Sequence, residues 1–327
     1  MEEQKIGQAN TIFKKIFTSY ISLAVLLCVL FVWPLVVGNS YYRHIAVIML
    51  LGAISALGFN IFFGYTGQVN FGPIAFYGIG AYSCALMQMR LGVSWFIGAL
   101  FIAPLTAGLV SLLLSIPILR LRGHGMALGT FAFAYMMYLI LDRWTSFTGG
   151  GDGMLVKAPE IFGHNLRQSP GLYYLVLMCA ILCFIVCHRL VSSKHGRAMK
   201  AIRTDEVGAA AMGINVMGYK RVIYVLSSAM IGLAGGLLSQ QAGWLGPDYA
   251  SISGNILIIL MLITGGRRSN AGQVVGGFFI GILPALLADF VEYAVVIYSV
   301  ILMVMLRFMP DGIIGIIRRW LGLPVVK

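Results

Sequence analysis

Long runs of apolar residues, separated by short polar stretches, dominate this chain. The runs are continuous and do not alternate at period two, so they favour α-helices over the strands of a membrane barrel. A helix needs about 20 apolar residues to cross a bilayer, and shorter ones must be broken, tilted or covered by protein. The pattern predicts an all-α polytopic membrane bundle of about ten transmembrane or partly re-entrant helices, within a single domain of residues 1–327. The predicted spans are 17–37, 44–63, 72–89, 95–118, 125–141, 170–188, 221–241, 252–264, 273–290 and 294–308.

Composition agrees with this class of protein. The chain is 59% hydrophobic and 10% charged, whereas soluble domains carry roughly 25% charged residues. A net charge of +12 could indicate a nucleic-acid partner. The basic residues lie between the spans, however, where the positive-inside rule requires them. We therefore expect contact with membrane lipid and no nucleic-acid partner.

The basic residues also predict an orientation. With the N-terminus in the cytoplasm, only five of the 23 Lys and Arg residues fall on the outer side. This asymmetry predicts an even number of spans, with both termini in the cytoplasm. The five outer residues are Arg43, Arg90, Arg143, Lys157 and Arg167.

The longest predicted outer loop, 142–169, contains three consecutive glycines, Gly149 to Gly151. No strand pattern precedes them and no Lys-Ser or Lys-Thr pair follows, so we interpret them as a turn that folds the loop over the mouth of the bundle. Because the dipeptide Gly-Lys never occurs in the chain, the GxxxxGK[ST] phosphate-binding loop is absent. If ATP drives this protein, another polypeptide must bind it.

Cys179, Cys183 and Cys187 recur every fourth residue beside His188, a spacing that could hold a metal ion. No acidic side chain or second histidine is close in sequence, so we expect packing residues and no metal site. We find no nucleophile–base pair and predict no catalytic residues, which makes an intramembrane enzyme the weakest interpretation. Spans also lack acidic or histidine side chains at their centres, so the sequence favours energy supplied from outside the bundle over ion coupling.

Residues 58–82, which we call the glycine-rich segment, read GFNIFFGYTGQVNFGPIAFYGIGAY. Small residues let helix backbones approach closely, and polar side chains inside a membrane are costly unless they face protein or water. The segment therefore predicts either a translocation path or gate, or tight packing with a buried hydrogen-bond network. The candidate path residues are Asn60, Gly64, Gly67, Gln68, Asn70, Gly72, Gly78 and Gly80.

Residues 189–221, which we call the coupling segment, form the longest hydrophilic stretch on the basic side. Short helices are predicted over 198–203 and 205–212, with Thr204 or Asp205 as the N-cap and Gly213 ending the second helix. Such a helix could dock in a groove of another protein, or the segment could rest on anionic lipid headgroups.

Six stretches carry a resemblance to a known family, and they follow the family's order over nearly the whole chain. Together they resemble the LivM-type permease subunits of branched-chain amino-acid ABC importers. The stretches are GYTGQVNFGPIAFYGIGAY (64–82), LRLRGHGMALGTFAFAY (119–135), FTGGGDGM (147–154), GRAMKAIRTDEVGAAAMGIN (196–215), VLSSAMIGLAGGLLSQ (225–240) and RFMPDGIIG (307–315).

The resemblance implies a non-catalytic subunit of the bacterial inner membrane that translocates leucine, isoleucine and valine. It implies a second homologous permease, two cytoplasmic ATPase subunits and a periplasmic or extracellular substrate-binding protein as partners. No cofactor is expected on this chain, since the partner ATPases use ATP and Mg. The alternatives are an ABC permease for urea, amides or another small polar solute and, outside this class, a stand-alone channel or secondary transporter.

The resemblance also implies which residues couple the permease to an ATPase, because 196–215 matches the family's cytoplasmic coupling loop. These residues are Arg197, Ala198, Ile202, Asp205, Glu206, Ala209, Ala210, Gly213 and Ile214. The Ile-x-Leu-Pro ending of the longer form of that motif is missing here. A second departure is the turn at 265–270, where Arg267 and Arg268 stand in a region usually richer in glycine.

Overall fold

The computed structural model describes residues 31, 39–121, 123–161, 164–167, 169–309, 312, 313 and 315. The chain divides into two compact units, 1–43 and 44–327, and nearly all described residues belong to the second. Most of them are helical. The helices are α1 (Ser40–Phe59, continued by a π-helical turn, Asn60–Tyr65), α2 (Pro73–Leu91), α3 (Trp95–Ile118, with a π-helical turn at Gly98–Ile102), α4 (His124–Arg143), α5 (Thr145–Thr148), α6 (Gly171–Ser192), α7 (Lys194–Thr204), α8 (Glu206–Ala211), α9 (Val216–Ala242), α10 (Ile252–Gly265), α11 (Asn270–Gly281), α12 (Leu283–Leu286) and α13 (Ala294–Phe308).

Five helices in the described ranges are long and apolar enough to cross a membrane, which supports the predicted class of helical membrane protein. Three shorter apolar helices accompany them. The predicted span 17–37 lies outside the described residues apart from Phe31. The long helices are Ser40–Tyr65, Trp95–Ile118, His124–Arg143, Gly171–Ser192 and Val216–Ala242, and the short ones are Ile252–Gly265, Asn270–Leu286 and Ala294–Phe308.

The predicted span 273–290 is not one continuous helix. Helix α11 begins earlier, at Asn270, because the Ser269 hydroxyl caps it by accepting a hydrogen bond from the Gly272 amide at 3.1 Å. It ends at Gly281, and Pro284 lies in the four-residue helix α12 that follows. Proline has no amide hydrogen to extend the ladder of α11, and residues 288–293 form a separate 3₁₀ segment.

Small residues allow α2, α3 and α9 to pack with their backbones in contact. A Cβ atom on Gly80 of α2 would overlap the carbonyl oxygen of Gly232 in α9, so only glycine fits there. On another side of α9, Gly232 and Gly236 lie against Ala107 and Ala103 of α3. Close approach of this kind replaces the hydrophobic effect as the packing force between helices in lipid. It places α2 and α9 in the centre of the bundle.

The short helices α10 and α11 pack on each other and on α1. A Cβ on Gly276 would overlap the carbonyl oxygen of Met261, and one on Gly277 would overlap the Ala53 backbone. Ala56, Leu260, Met261 and Ile280 form a buried apolar cluster at this contact. Helices too short to cross a bilayer are thus covered by protein, as their length requires.

The described part of the loop 142–169 packs against one end of the bundle, as the sequence predicted, with Val156 buried beside Ala81, Tyr82 and Ala85 of α2. Gly149, Gly150 and Gly153 adopt positive φ angles and turn the chain back on itself. Strand β1 (Met154–Leu155) pairs antiparallel with β4 (Trp244–Leu245). A second small sheet pairs β2 (Glu160–Ile161) with β3 (His164–Asn165). We call this the loop end of the bundle.

Several helices expose large apolar side chains on their outer faces. On α3 these are Phe101, Leu105, Leu109 and Leu113, and on α13 they include Val296, Val300 and Met303. An exposed apolar face of this length would be a liability in water and indicates contact with lipid or a membrane partner.

Candidate functional site

Local sequence signals shape the coupling segment into two short helices. The Ser193 hydroxyl accepts a hydrogen bond from the His195 amide at 3.1 Å and caps α7. The Asp205 carboxylate accepts one from the Val207 amide at 2.9 Å and caps α8. After α8, Gly213 adopts a φ of +82°, which glycine tolerates best. The sequence predicted both helices and the end at Gly213, but α7 begins at Lys194, four residues before the predicted start, because Ser193 caps it.

Burial divides the predicted coupling residues into two groups. Ala198, Ile202 and Ala209 are buried and fix the segment to the bundle. Arg197, Asp205, Ala210 and Gly213 are exposed, whereas Glu206 and Ile214 are half-buried. The exposed group therefore forms the part of the segment that another molecule can reach.

Two large apolar side chains, which the sequence analysis did not select, extend this exposed face. Val207 is 79% exposed and Met212 is 84% exposed. They flank Ala210 and Ala211, which are also exposed. The resulting surface is apolar, with small alanine side chains between Val207 and Met212, and such a surface can fit into a groove of a protein partner. An apolar residue on an otherwise polar loop was the signal that could have identified it.

The π-helical turn Asn60–Tyr65 lies near the start of the glycine-rich segment, directly after the last two residues of α1. Turns of this kind often occur at functional sites. Asn60 is buried, and its side-chain oxygen accepts a hydrogen bond from the Arg268 amide at 3.1 Å. The Tyr65 hydroxyl donates to the carbonyl oxygen of Arg268 at 2.7 Å. Asn60 thus holds the turn that contains Arg268.

Asn70 also makes a structural contact. It is buried, and its side-chain oxygen accepts a hydrogen bond from the Gly72 amide at 2.9 Å, just before α2. Next to it, the Phe71 amide donates to the Thr130 hydroxyl at 2.9 Å, and the Asn255 side chain donates to the Phe71 carbonyl at 2.7 Å. These bonds satisfy the polar groups of a turn inside the bundle. A role for Asn60 and Asn70 in lining a path stays a prediction.

Four of the predicted path glycines are packing positions in this conformation. A Cβ atom on Gly64 would overlap the Asn60 side chain, and one on Gly72 would overlap the Thr130 carbonyl. A Cβ atom on Gly78 would lie 2.8 Å from the Cβ atom of Ala250, which is too close for two such atoms. Gly80 meets Gly232, as described above. The packing interpretation therefore accounts for Gly64, Gly72, Gly78 and Gly80, while their use as a path is untested.

Gln68, a predicted path residue, contacts the coupling segment through its side chain. Its side-chain nitrogen donates to Glu206 Oε1 at 2.9 Å. The same oxygen accepts from Lys220 Nζ at 2.5 Å. Lys220 has 7% of its side chain exposed and Glu206 has 40%. The structure thus joins two groups of residues that the sequence had placed in separate roles.

A second bond joins the same two segments. Arg203, at the end of α7, donates from Nη1 to the carbonyl oxygen of Gly64 inside the π-helical turn. Burial, together with the neighbouring charges of Arg268 and Arg267, lowers the pKa of Arg203 from its ordinary value. The Arg267 guanidinium lies 5.2 Å from the centre of the Phe63 ring. We call the end of the bundle that carries these residues the basic end.

An open cleft of about 360 Å³ lies beside the Gln68–Glu206 contact. Gly67, Gln68, Glu206 and Lys220 contribute to its lining, and Gly67 holds its turn with a φ of +73°. The other walls are mainly apolar and include Leu121, Met126 and Val207. The cleft therefore leaves space next to the bonds that connect the two segments.

Comparisons with known proteins give the family. Residues 41–309 match the family model described as the permease component of the branched-chain amino acid transport system. LivM of Escherichia coli K12, a high-affinity branched-chain amino acid transport permease protein, is 27% identical over 96% of this chain and 78% of its own length. LivH of Salmonella typhimurium is 27% identical over 80% of this chain and 91% of its own. BraD of Pseudomonas aeruginosa is 24% identical over 86% and 93%.

No solved structure matches this chain. The family match nevertheless covers well over half of it and includes the glycine-rich segment, the coupling segment and the loop between α4 and α6. The resemblance carried by the sequence motifs is thereby confirmed, and the chain belongs to the branched-chain amino acid transport system permease family.

Proposed function

We propose that this chain is the membrane-spanning permease subunit of an ATP-driven ABC importer. In this role it translocates leucine, isoleucine and valine across the bacterial inner membrane and catalyses no reaction itself. ATP and Mg are used by partner subunits. The observation that carries the proposal is the bonding of the coupling segment to the glycine-rich segment through Gln68, Glu206 and Arg203. Through this contact, an ATPase that moves the coupling segment would act directly on residues inside the bundle.

The proposed membrane arrangement has ten spans in one permease domain, with both termini in the cytoplasm. The coupling segment then lies on the cytoplasmic side, together with Arg267 and Arg268. The accumulation of Lys and Arg at the basic end supports this orientation. The loop end, with its two small sheets, then faces outwards.

The proposed partners follow from the exposed surfaces. Two ATPases dock on the cytoplasmic side, one of them against the apolar face that contains Val207 and Met212. A substrate-binding protein delivers its cargo at the loop end. A second homologous permease completes the path, and the similarity of this chain to both LivM and LivH proteins supports such a pair. Lipid covers the remaining apolar faces.

Alternating access is the mechanism that we propose. ATP binding closes the two ATPases together, the coupling segments move with them, and the permease pair changes between outward-open and inward-open states. A motor shifts this equilibrium only as far as its contacts differ between the two states. In this chain, the hydrogen bonds of Gln68 and Gly64 to the coupling segment are the contacts that we expect to differ between the two states.

The test is reconstitution of the chain in vesicles with a homologous permease, both ATPases and the binding protein. We expect uptake of labelled leucine that requires ATP on the side of the membrane where the ATPases lie. Uptake should stop when either ATPase is omitted. Uptake by the chain without ATPases would favour a channel or secondary transporter. ATP-dependent uptake of urea or a short amide, with no uptake of leucine, isoleucine or valine, would contradict the proposed substrate.

A further inference from the structure

Helix α8 presents two different faces, and Glu206 belongs to the inner one. Val207, its neighbour, is 79% exposed, and part of its side chain lines the cleft beside Gln68. The Glu206 carboxylate is directed towards Gln68 and Lys220, both of which belong to the bundle. A residue that contacts a partner ATPase would be expected on the outer face. The orientation of Glu206 therefore calls for a different role.

Glu206 connects three separate elements. It begins α8, while Lys220 lies near the start of α9, the long helix through the centre of the bundle. Gln68 lies in the turn that leads into α2, the other central helix. One carboxylate oxygen, Oε1, accepts from both the amide and the ammonium group. A movement of α8 must therefore act on the starts of both central helices or break these bonds.

The burial of Lys220 explains why this connection is stiff. Its ammonium group is nearly inaccessible, with 7% of the side chain exposed, and a buried charge is costly without an opposite charge beside it. Glu206 supplies that charge at 2.5 Å. In contrast, the ion pair Asp142–Arg143 has an arginine whose side chain is 84% exposed. Exposed pairs of that kind contribute little.

Arg203 supplies a second point of attachment one helix earlier. Its bond to the Gly64 carbonyl acts on the π-helical turn, four residues before Gln68. Two bonds at two points resist both translation and rotation of the coupling segment relative to the turn. The cleft of about 360 Å³ beside Gln68 gives the segment room to move when these bonds rearrange.

We propose that Glu206 is a positioning residue that transmits motion of the coupling segment to α2 and α9 through Gln68 and Lys220, and not an ATPase contact. This inference rests on the proposed function, and it assigns ATPase docking to the outer face of α8. The ion pair fixes α8 to the start of α9. The hydrogen bond between Glu206 and Gln68 links α8 to the turn before α2.

A charge exchange tests the proposal in the reconstituted complex. Glu206→Lys or Lys220→Glu places two like charges in contact and should lower leucine uptake at least about tenfold. Combining the two substitutions restores opposite charges, so uptake should return to within about threefold of wild type. The Gln68 amide tolerates the exchange because it has an oxygen that can accept from a lysine at position 206. Co-purification of the ATPases should be unchanged throughout.

Two further variants make the test independent of folding failures. Gln68→Met removes the amide and leaves the ion pair in place, so the protein should assemble and hydrolyse ATP while uptake per ATP falls about threefold or more. Lys157→Glu makes the same charge change as Lys220→Glu at an exposed position outside the coupling segment and should leave uptake per ATP unchanged.

Measuring the wild-type complex in parallel distinguishes failure of the proposed function from failure of the inference about Glu206. Failure of the wild-type complex to take up leucine would contradict the proposed function, and this inference would fall with it. If wild type transports leucine but Glu206→Lys loses the ATPases on purification, Glu206 is a docking contact and the inference is wrong. Absence of rescue in a well-folded double variant, or normal uptake per ATP by Gln68→Met, would also overturn it.

Discussion

Arg203 donates a hydrogen bond from Nη1 to the carbonyl oxygen of Gly64, 139 residues earlier in the chain. Gly64 lies in a π-helical turn. Arg203 lies in the last turn of α7, two residues before Asp205, the N-cap of α8. The bond therefore joins the coupling segment to an irregular turn at the end of α1. π-Helical turns within α-helices occur frequently at functional sites.

Replacing Arg203 with methionine should weaken transport. The variant keeps most of the apolar stem but cannot donate to Gly64, so the π-helical turn loses one of its two connections to the coupling segment. We expect leucine uptake to fall about threefold to tenfold, with less change in ATP hydrolysis, since a charged hydrogen bond contributes about 1.5–3 kcal/mol. Lys200→Met, at an exposed position on the same helix, is the control. Equal uptake by both variants would contradict the prediction.

Replacing Gly80 with alanine should destabilise the bundle. The added methyl group would overlap the Gly232 carbonyl and push α2 away from α9. We expect a loss of about 1–3 kcal/mol, seen as a lower midpoint of thermal unfolding in detergent. Gly108→Ala is a matched control on α3, where the new Cβ would lie 3.6 Å from Val225, an ordinary contact. A Gly80→Ala midpoint equal to that of the control would show that the two helices do not touch closely.

Replacing Val207 with arginine should impair ATPase docking. A charged side chain would project from the apolar outer face of α8, and burying it in a partner groove would leave the charge without compensation. We expect co-purification of the ATPases to fall about fivefold or more, since a central interface contact contributes over about 1 kcal/mol. Leu155→Arg, at a position 73% exposed at the loop end, makes the same change and should keep the ATPases bound.

Replacing Arg90 with methionine should loosen the loop end. The Arg90 guanidinium donates to the carbonyl oxygens of Ser146 and Phe147 at 2.6 and 3.1 Å and lies 4.7 Å from the centre of the Phe147 ring. Without these contacts, amide hydrogen exchange over residues 145–155 should become faster. Arg143→Met is the control, because its exposed ion pair with Asp142 contributes little. Unchanged exchange in Arg90→Met would count against a stabilising role for that residue.

Local signals in the sequence were sufficient for several elements. The cap at Asp205 and the glycine at 213 predicted α8, since both act on neighbouring backbone groups. The glycines at 149–151 predicted the turn at the loop end for the same reason. The resemblance to the permease family rested on motifs distributed along the chain, and the family match confirmed it.

Features that depend on distant partners could not be read from the sequence. The span predicted to begin at 221 begins at Val216, because Asn215 caps the helix and Glu206 neutralises Lys220 inside it. The π-helical turn at 60–65 has no local signature. Asn60 and Asn70 suited either a path or a buried network, and only the tertiary contacts to Arg268 and Gly72 gave them their structural roles.

Labelling of the coupling segment in intact cells decides whether this segment lies in the cytoplasm, where an ATPase could reach it. Cysteine is introduced at Lys200, on the exposed side of α7, or at Leu155, at the loop end, and the cells are treated with a membrane-impermeant thiol reagent, with wild type setting the background. We expect Lys200→Cys to be labelled only after the membrane is opened, and Leu155→Cys to be labelled in intact cells. Labelling of Lys200→Cys from outside would place the coupling segment beyond the reach of a cytoplasmic ATPase and rule out its role in coupling.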